Sequence, residues 1–373
     1  MPTNPITIIG GGLAGLTLGI GLRQKSVLVT VLEAGHYPRH RVCGEFISGH
    51  GQATLARLGL ADKLPAAGAM PASTTQFFSP RAKSAIRKLR EPAWSISRYA
   101  LDALLADEFR RLGGEIRENE RWRGNEYTAG MVRATGRRLQ PVENGWRWFG
   151  LKVHARNVPL NADLEMHLSP SSYLGISRLK DGEVNICGLF RRAAGPERGA
   201  PVRREHGESR TTELEPQAPQ FAEKSRLKSE LQTFRGAPGS PRFERLANAV
   251  FDEDSFCSVA GLSLRPHRAA QSGDCCIGDG ITMIPPVTGN GMSMAFESAE
   301  LAIEPLAAYS RGQLTWNEAQ ATIARACDER FARRLAWAWG LQRLLFMAAL
   351  QDSLVKFVPR WERLWRLLLD RTR

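Results

Sequence analysis

Three glycines near the start of the chain, Gly10, Gly12 and Gly15, follow the apolar run Ile6-Thr7-Ile8-Ile9 and open a helical pattern that runs from Leu13 to Arg23. In that setting the first glycine allows a tight turn, the second lets the backbone approach a pyrophosphate, and the third lets the helix pack close to its strand. Ala14 lies in the same turn, and the helix start presents free N–H groups and a positive dipole end to phosphate oxygens. The next apolar run, Val27–Leu32, ends at Glu33-Ala34, where a carboxylate accepts hydrogen bonds from a ribose diol. Far downstream stand Gly278-Asp279-Gly280 and then Pro285-Pro286-Val287-Thr288-Gly289-Asn290-Gly291-Met292, which leads into a helical stretch, Met292–Ile303. Asp279 there is suited to bond a ribityl hydroxyl. The N–H groups at that helix start would face a flavin pyrimidine ring and favour negative charge on its reduced form. The first turn by itself fits NAD as well as FAD. The two together predict one extended dinucleotide, FAD, with its adenine half at the N-terminus and its flavin half at the distant turn.

Other elements must carry these turns. Residues 6–33 read as strand, turn, helix, strand, and 39–49 as a loop rich in Gly, Arg and His. Helical periodicity returns at Gln52–Leu60 and at Tyr99–Leu112, the latter stopped by Gly113-Gly114. Val132-Arg133-Ala134-Thr135-Gly136 reads as a short strand returning to the first sheet, and Cys276–Gly280 as a strand ending in its acidic residue. From Trp146 to Val153, Leu164 to Leu168 and Glu183 to Cys187 the pattern alternates, as in an antiparallel sheet with one buried face. Trp148, Met166, Tyr173 and Cys187 are the substrate-facing candidates on that sheet, although alternation alone leaves open which face they occupy. Residues 195–225, rich in Pro, Gly, Ser, Arg and Glu, read as a mobile insertion. Beyond 293 the chain is mostly helical. Its last stretch sets Trp361, Leu364, Trp365 and Leu368 among Arg360, Arg363 and Arg366, an amphipathic pattern that either caps the domain or makes peripheral contact with a membrane surface.

A chain of 373 residues has room for two intimately packed domains, since a domain typically takes about 100–200 residues. No run of about 18 apolar residues is present, so no spanning helix is expected. The apolar start lacks a basic lead-in and is broken by Gly and Pro, which argues against a signal peptide. The six cysteines, at 43, 187, 257, 275, 276 and 327, form no C-x-x-C pair and have no histidine at zinc-ligand spacing. Reduced thiols in a cytoplasmic protein without a metal centre are therefore expected. The formal charge of +13 favours anionic partners, but no zinc finger, RNA-binding signature or dense basic block points to nucleic acid.

Further segments carry a likeness to a known group of proteins. They are Arg39-His40-Arg41-Val42-Cys43-Gly44-Glu45-Phe46-Ile47-Ser48 and Ser97-Arg98 followed by Leu101-Asp102 and Leu104. With the two glycine turns and Glu33, they make the chain resemble the FAD enzymes of the para-hydroxybenzoate hydroxylase fold, near their geranylgeranyl reductase-like and aromatic monooxygenase-like branch. The resemblance covers about half of the chain and is most specific at the Pro-x-x-Gly-x-Gly segment. It implies an α/β fold: a Rossmann-like FAD-binding domain of the GR2 type, an inserted antiparallel β-sheet substrate domain and a helical C-terminus. The corresponding boundaries are 1–70, 95–140 and 255–310 for the FAD-binding part, 71–94 and 141–254 for the substrate part, and 311–373 for the C-terminal helices.

Carried onto this sequence, the resemblance implies that Glu33 and Ala34 meet the adenosine ribose and that Arg41 and Arg98 contact the cofactor. Gly278 and Asp279 would hold the ribityl or pyrophosphate region, and Pro286, Gly289, Asn290, Gly291 and Met292 would line the flavin ring. Cys43, Gly44 and Glu45 would sit over that ring as active-site candidates. By its chemistry Cys43 is a candidate proton donor, and Glu45 a proton donor or relay if burial raises its pKa. Cys43 has the alternative of a small buried apolar residue, and Glu45 that of a salt bridge to Arg39 or Arg41. His36, His40 and His50 cluster near this loop without defining a base, and His154, His167 and His267 read as structural or exposed.

The implied activity is hydroxylation of a hydrophobic or aromatic small molecule through a flavin C4a-hydroperoxide. The alternatives are double-bond reduction of a polyprenyl lipid, and flavin binding without efficient turnover. NADPH or NADH is the candidate electron donor. The family's Asp-Gly pair after the 132–136 strand is missing, however: Ala134-Thr135-Gly136-Arg137-Arg138 stands there. Trp146-Arg147-Trp148 is similar to the W-x-W pair of flavin-dependent halogenases, but it continues Phe-Gly-Leu-Lys rather than into Ile-Pro and reads as a sheet edge.

Overall fold

The computed structural model describes residues 4–124, 126–137, 140, 142–194 and 230–357. The expected insertion at 195–225 and the Trp/Arg stretch at 360–368 lie outside the described residues. In chain order the first strands are β1 (Ile6–Ile9), β2 (Val29–Leu32), β3 (Phe46–Ile47), β4 (Met70–Ser79), β5 (Ala82–Lys83), β6 (Arg87–Ser95), β7 (Glu115–Arg117) and β8 (Met131–Arg133). They are followed by β9 (Trp146–Arg156), β10 (Leu164–Ser169), β11 (Ser172–Arg178), β12 (Val184–Ala193) and β13 (Val250–Ala260). The helices are α1 (Leu13–Gln24), α2 (His50–Arg57), α3 (Arg98–Arg111), α4 (Pro241–Leu246), α5 (Gly291–Ser310), α6 (Trp316–Leu345) and α7 (Ala348–Phe357).

A four-stranded sheet in the order β7-β2-β1-β8 forms the nucleotide-binding half. Ile8 registers in parallel with Val31 on one side and Val132 on the other. Every residue of α1 from Leu13 to Leu22 is buried, because the sheet, α3 and α5 enclose it. Its glycines admit those neighbours: a Cβ at Gly19 would stand 2.7 Å from Phe109 and one at Gly21 2.2 Å from Ile303. Ser97 caps α3, its Oγ accepting from Ala100 N at 3.1 Å.

The second sheet is nine-stranded, ordered β13-β9-β12-β11-β10-β4-β6-β3 with β5 beside β4, and antiparallel except where β10 meets β4. Its alternation separates two faces. Leu151, Val153 and Ala155 of β9 join Leu174, Ile176 and Ile186 in a core closed by Phe234 and Leu246. The other face of β9 carries Trp148, Gly150, Lys152 and His154, and it turns toward the first domain. The α/β class, the Rossmann-like half, a second and largely antiparallel sheet, and helices over the described residues beyond 311 are as expected.

The structure corrects several local expectations. β13 pairs with β9 on either side of an irregularity between Asp252 and Cys257, so the boundary expected at 254/255 falls inside a strand. Cys276–Gly280 is not a strand. A single bridge joins Cys276 to Arg133, and Gly278–Gly280 then closes a 3-10 turn with Gly278 at φ +61°. Trp146 and Trp148 lie on β9, which is flanked by β12 and β13 and so is not an edge.

Candidate active site

One cavity of about 1060 Å³ runs between the two sheets and is bounded at its far end by α6 and α7. At the adenine end, Gly10 adopts φ +107°, and a Cβ there would stand 2.4 Å from the Ala134 carbonyl oxygen. A Cβ at Gly15 would lie 2.0 Å from the Gly10 oxygen, whereas one at Gly12 would meet nothing within 4 Å. Gly12 is also the N-cap of α1, with no side chain satisfying the helix N–H groups. The result is an open, donor-lined concavity, the shape a pyrophosphate requires.

Glu33, 3% exposed, sits beside it. Its Oε2 accepts from Gly11 N at 2.9 Å and its Oε1 from Gly35 N at 2.9 Å, with Arg39 and Arg41 closing on it. Burial alone would raise Glu33. Arg41, Arg39 and the two N–H groups outweigh it and hold the carboxyl below the usual carboxylate range. Arg98 pairs with Asp102 through Nε at 2.7 Å and Nη2 at 2.8 Å, and Arg41 reaches the same Asp102 at 3.0 Å. This ladder fixes both arginines at the cavity wall.

At the flavin end, Asp279 lines the cavity with Arg137 Nε 3.5 Å away. Burial raises the Asp279 carboxyl, while Arg137 and Arg98 oppose that shift. Arg137 also donates to the Val42 carbonyl at 2.7 Å, so a cation stands close to where the resemblance leads one to expect an acidic residue. Gly289, at φ +66°, turns the chain into α5. Ser48 locks that start, its Oγ donating to Asn290 Oδ1 at 3.0 Å and its carbonyl accepting from Ser293 Oγ at 2.6 Å.

Among the candidate cofactor residues, Gly10, Gly12, Ala14, Glu33, Ala34, Arg41, Cys43, Gly44, Arg98, Asp279, Pro286, Gly289, Gly291 and Met292 lie on the cavity wall. Gly15, Gly278 and Asn290 do not. Gly15 backs Gly10, the Gly278 N–H goes to Ser298 Oγ at 2.9 Å, and Asn290 meets Ser48.

The sheet side is mostly apolar. Met166, Gly175, Cys187, Lys152 and Cys257 follow one another across the strands, and Leu168, Tyr173, Leu189, Gly150 and Val259 form the next row. Met166, Tyr173 and Cys187 line the cavity. Trp148 does not: Phe346 stacks edge-on against it at 5.1 Å, and the Arg191 guanidinium lies 5.9 Å from its ring centroid. Cys43 lies on the wall with Arg98, and burial pushes the Cys187 thiol well above its usual range. Loop 39–45 is sewn to the sheet, Asn185 donating to the Cys43 carbonyl at 3.0 Å and Ser177 to that of Gly44 at 3.2 Å.

Glu45 departs most from expectation. It is fully buried in a left-handed conformation, φ +54°, and pairs with neither Arg39 nor Arg41. His154 Nε2 lies 2.7 Å from its Oε2, while Arg98 N donates to Oε1 at 2.9 Å and Lys152 Nζ stands 3.6 Å away. Burial raises Glu45, but the hydrogen bond from His154, the Lys152 and His154 charges and the Arg98 N–H more than reverse that shift and lower its pKa. The upward shift on which the donor reading of Glu45 was conditional is therefore not what its surroundings produce.

Lys152 is itself fully buried and reaches His40 Nδ1 at 3.0 Å. The residue-type pattern gave no role to Lys152 or Arg137, left His40 without one, and read His154 only as structural or exposed. The available signal was a lysine and a histidine at alternate positions of a strand whose same face carries Trp148 and Gly150. His154, Glu183 and Asp252 bring ligand atoms within 4.8 Å of one another, but His154 Nε2 is engaged by Glu45 and its Nδ1 lies 3.3 Å from Glu183. All six cysteines are free, and no helix among the described residues is long and apolar enough to cross a membrane.

His40 provides a pH test. Burial first, then Lys152 and His154, push it down from 6.5 to about 4, against the weaker pull of Glu45 and Asp252. The unfolded chain therefore binds more protons between those values, so this contribution to stability is complete above pH 6.5 and is lost as pH falls toward 4. His40→Gln is expected to flatten the acid side of a melting-temperature profile across that window. A profile parallel to that of the unsubstituted protein would refute the assignment.

A nucleotide cradle on a parallel sheet, joined by one cavity to a large curled sheet, defines the class of two-domain dinucleotide-binding flavoproteins. Residues 3–144 match the protein family described as FAD binding domain, so this part of the chain is an FAD-binding domain and FAD is its cofactor. A curated relative, the 1H-pyrrole-2-carbonyl-[peptidyl-carrier protein] brominase of Pseudoalteromonas luteoviolacea, is 30% identical over 109 residues. That match takes in 27% of this chain and a quarter (25%) of the relative's length.

Among solved structures, a flavin-dependent brominase superposes with TM-score 0.66 at 17% identity, covering 99% of this chain and 94% of that one. PqsL of P. aeruginosa, in complex with 2-aminobenzoylacetate, gives 0.65 at 13%, covering 94% and 98%. A geranylgeranyl bacteriochlorophyll reductase-like protein of Thermoplasma acidophilum gives 0.66 at 16%, covering 98% and 96%. At such identities the likeness is one of fold.

Proposed function

We propose that the protein is an FAD-dependent monooxygenase acting on a hydrophobic or aromatic small molecule. The observation that carries this reading is the continuity of the cavity from the glycine cradle to the apolar wall of Phe77, Met166, Leu168, Tyr173 and Leu189. When bound, FAD supplies the electron transfer and the reaction with O2. The chain supplies binding, orientation and exclusion of water. Gly10–Gly12 and the α1 N-terminus hold the pyrophosphate, and Glu33 takes the ribose diol. Asp279 holds the ribityl chain, and the start of α5 presents its positive dipole end at Gly291 and Met292. The apolar sheet face keeps water from the reacting region and leaves the substrate few polar contacts.

A second reading, reduction of a carbon–carbon double bond in a lipid, draws on Cys43. Its thiol lies on the cavity wall beside Arg98 and is the side chain there suited to hand over the proton that accompanies a hydride.

The test is a turnover assay on FAD-loaded protein with NADPH or NADH, using an alkylphenol and a polyprenyl alcohol as substrates in air. Mass spectrometry distinguishes the outcomes. Gain of one oxygen atom supports monooxygenation, and gain of two hydrogens without oxygen replaces it with the second reading. A product formed only with added bromide would redirect the assignment to halogen transfer. Flavin that neither donor reduces and that yields no product would leave a binding protein.

A further inference from the structure

The described residues expose ten large hydrophobic side chains, and four of them crowd the end of α6 and α7: Trp337, Met347, Leu350 and Phe357, between 39% and 53% exposed. On α6, Trp337, Gly340, Leu341 and Leu344 recur at three- and four-residue spacings and line a surface groove of about 330 Å³. Met347 occupies the turn that follows. Its N–H donates to the Leu344 carbonyl at 3.1 Å and its own carbonyl accepts from Leu350 N at 2.9 Å, which joins the two helices' apolar faces. Leu350 and Phe357 stand about two turns apart on one face of α7. The inner sides of both helices are fixed. Phe346 is buried against Trp148 and Tyr173, Gln351 donates to the Ser169 carbonyl at 2.9 Å, and Asp352 accepts from Ser79 Oγ at 2.6 Å.

An apolar surface held in place this way marks a contact site, and its charges select the partner. Arg333, Arg343 and Lys356 are exposed, whereas Asp352, engaged by Ser79, is the sole acidic residue between Phe331 and Phe357. Arg333 precedes Trp337 by four residues and Arg343 follows Gly340 by three, so each flanks the apolar face. The sequence after Phe357 keeps the mixture, with Trp361, Leu364, Trp365 and Leu368 among Arg360, Arg363 and Arg366. A second copy docking through the same face would press these cations against their own kind. An anionic bilayer satisfies both features: Trp, Leu, Met and Phe enter the headgroup boundary while Arg and Lys meet lipid phosphates.

We infer that the α6–α7 face docks the protein on the surface of an anionic lipid bilayer. The contact is peripheral, since no helix among the described residues is long and apolar enough to span one. Leu341, Leu344 and Leu345 also line the large cavity, so docking sets its apolar end one helix away from lipid. The docking is independent of which reaction the flavin performs.

Co-sedimentation of the full-length, FAD-loaded protein with sucrose-loaded vesicles tests it. Phosphatidylcholine vesicles containing phosphatidylglycerol are expected to bind the protein, and pure phosphatidylcholine vesicles to bind it about tenfold more weakly or less. Leu350→Glu with Phe357→Glu is expected to weaken binding to the anionic vesicles by about tenfold or more, with FAD content and melting temperature unchanged. Arg343→Glu with Lys356→Glu should do the same through charge alone. Leu28→Glu with Val250→Glu, at exposed apolar positions elsewhere, should leave binding unchanged. Failure to bind anionic vesicles overturns the docking, and so does binding that neither α6–α7 variant weakens or that the control pair weakens equally. A dimer in sedimentation velocity that Leu350→Glu with Phe357→Glu dissolves would give the face to a second copy instead. A melting temperature several degrees lower in that variant would give it to residues 358–373 of the chain itself.

Discussion

Gly12→Val is expected to give a folded, colourless protein. The space a side chain would enter at this position is empty of protein: a Cβ at Gly12 meets no atom within 4 Å. The fold therefore has no reason to reject valine, but the volume it fills is the concavity over the uncapped N-terminus of α1. A branched side chain there holds the pyrophosphate off the N–H groups that would bind it. Loss of two charge-assisted hydrogen bonds, each about 1.5–3 kcal/mol, corresponds to a weakening of FAD binding by a hundredfold or more.

Gly15→Val is the contrasting case. Its Cβ would stand 2.0 Å from the Gly10 oxygen, so the strand–helix packing itself must give, and insoluble or unfolded protein is expected. Titration with FAD followed by flavin fluorescence, together with circular dichroism, separates the two. A Gly12→Val protein that purifies yellow with full FAD content would show that the cradle is misassigned.

Glu45→Ala is expected to cost about 3–5 kcal/mol, because it strands the fully buried Lys152 ammonium without its carboxylate. The same change removes the acceptor for Arg98 N and the partner of His154. In a chain of this size that loss corresponds to a fall in melting temperature of roughly 10 °C. The double variant Glu45→Gln with Lys152→Met removes both charges together and is expected to recover more than half of the loss, since replacing a buried ion pair by neutral groups is often close to neutral. A melting temperature within about 2 °C of the unsubstituted protein for Glu45→Ala alone would mean that the cluster is solvated and does not brace loop 39–45.

These two predictions rest on residues of different kinds. Gly10, Gly12, Gly15 and Glu33 announce themselves by spacing within one strand-turn-helix-strand unit, and their neighbours in space are largely neighbours in sequence. Pro286–Met292 is similar: a turn that opens a helix is a local event. Glu45 was visible as an acidic residue in an unusual loop, but its partners were not. His154 and Lys152 come from β9 and Arg98 from α3, while His40 of the same loop meets Lys152. The expected partners, Arg39 and Arg41, face Glu33 instead.

What the residues alone determined is the set of features encoded by backbone restriction over short spans: the glycine turn, the ribose-side carboxylate, the dinucleotide they imply, and the alternating sheet. Only the tertiary structure decided which side of that sheet looks inward. It put Met166, Tyr173 and Cys187 on the cavity while leaving Trp148 beneath Phe346. It also paired Glu45 with His154 and brought Arg137 to Asp279. The reason is physical. A strand of period two offers two equivalent faces until another domain covers one, and a buried charge takes its protonation state from groups that the chain brings near only on folding.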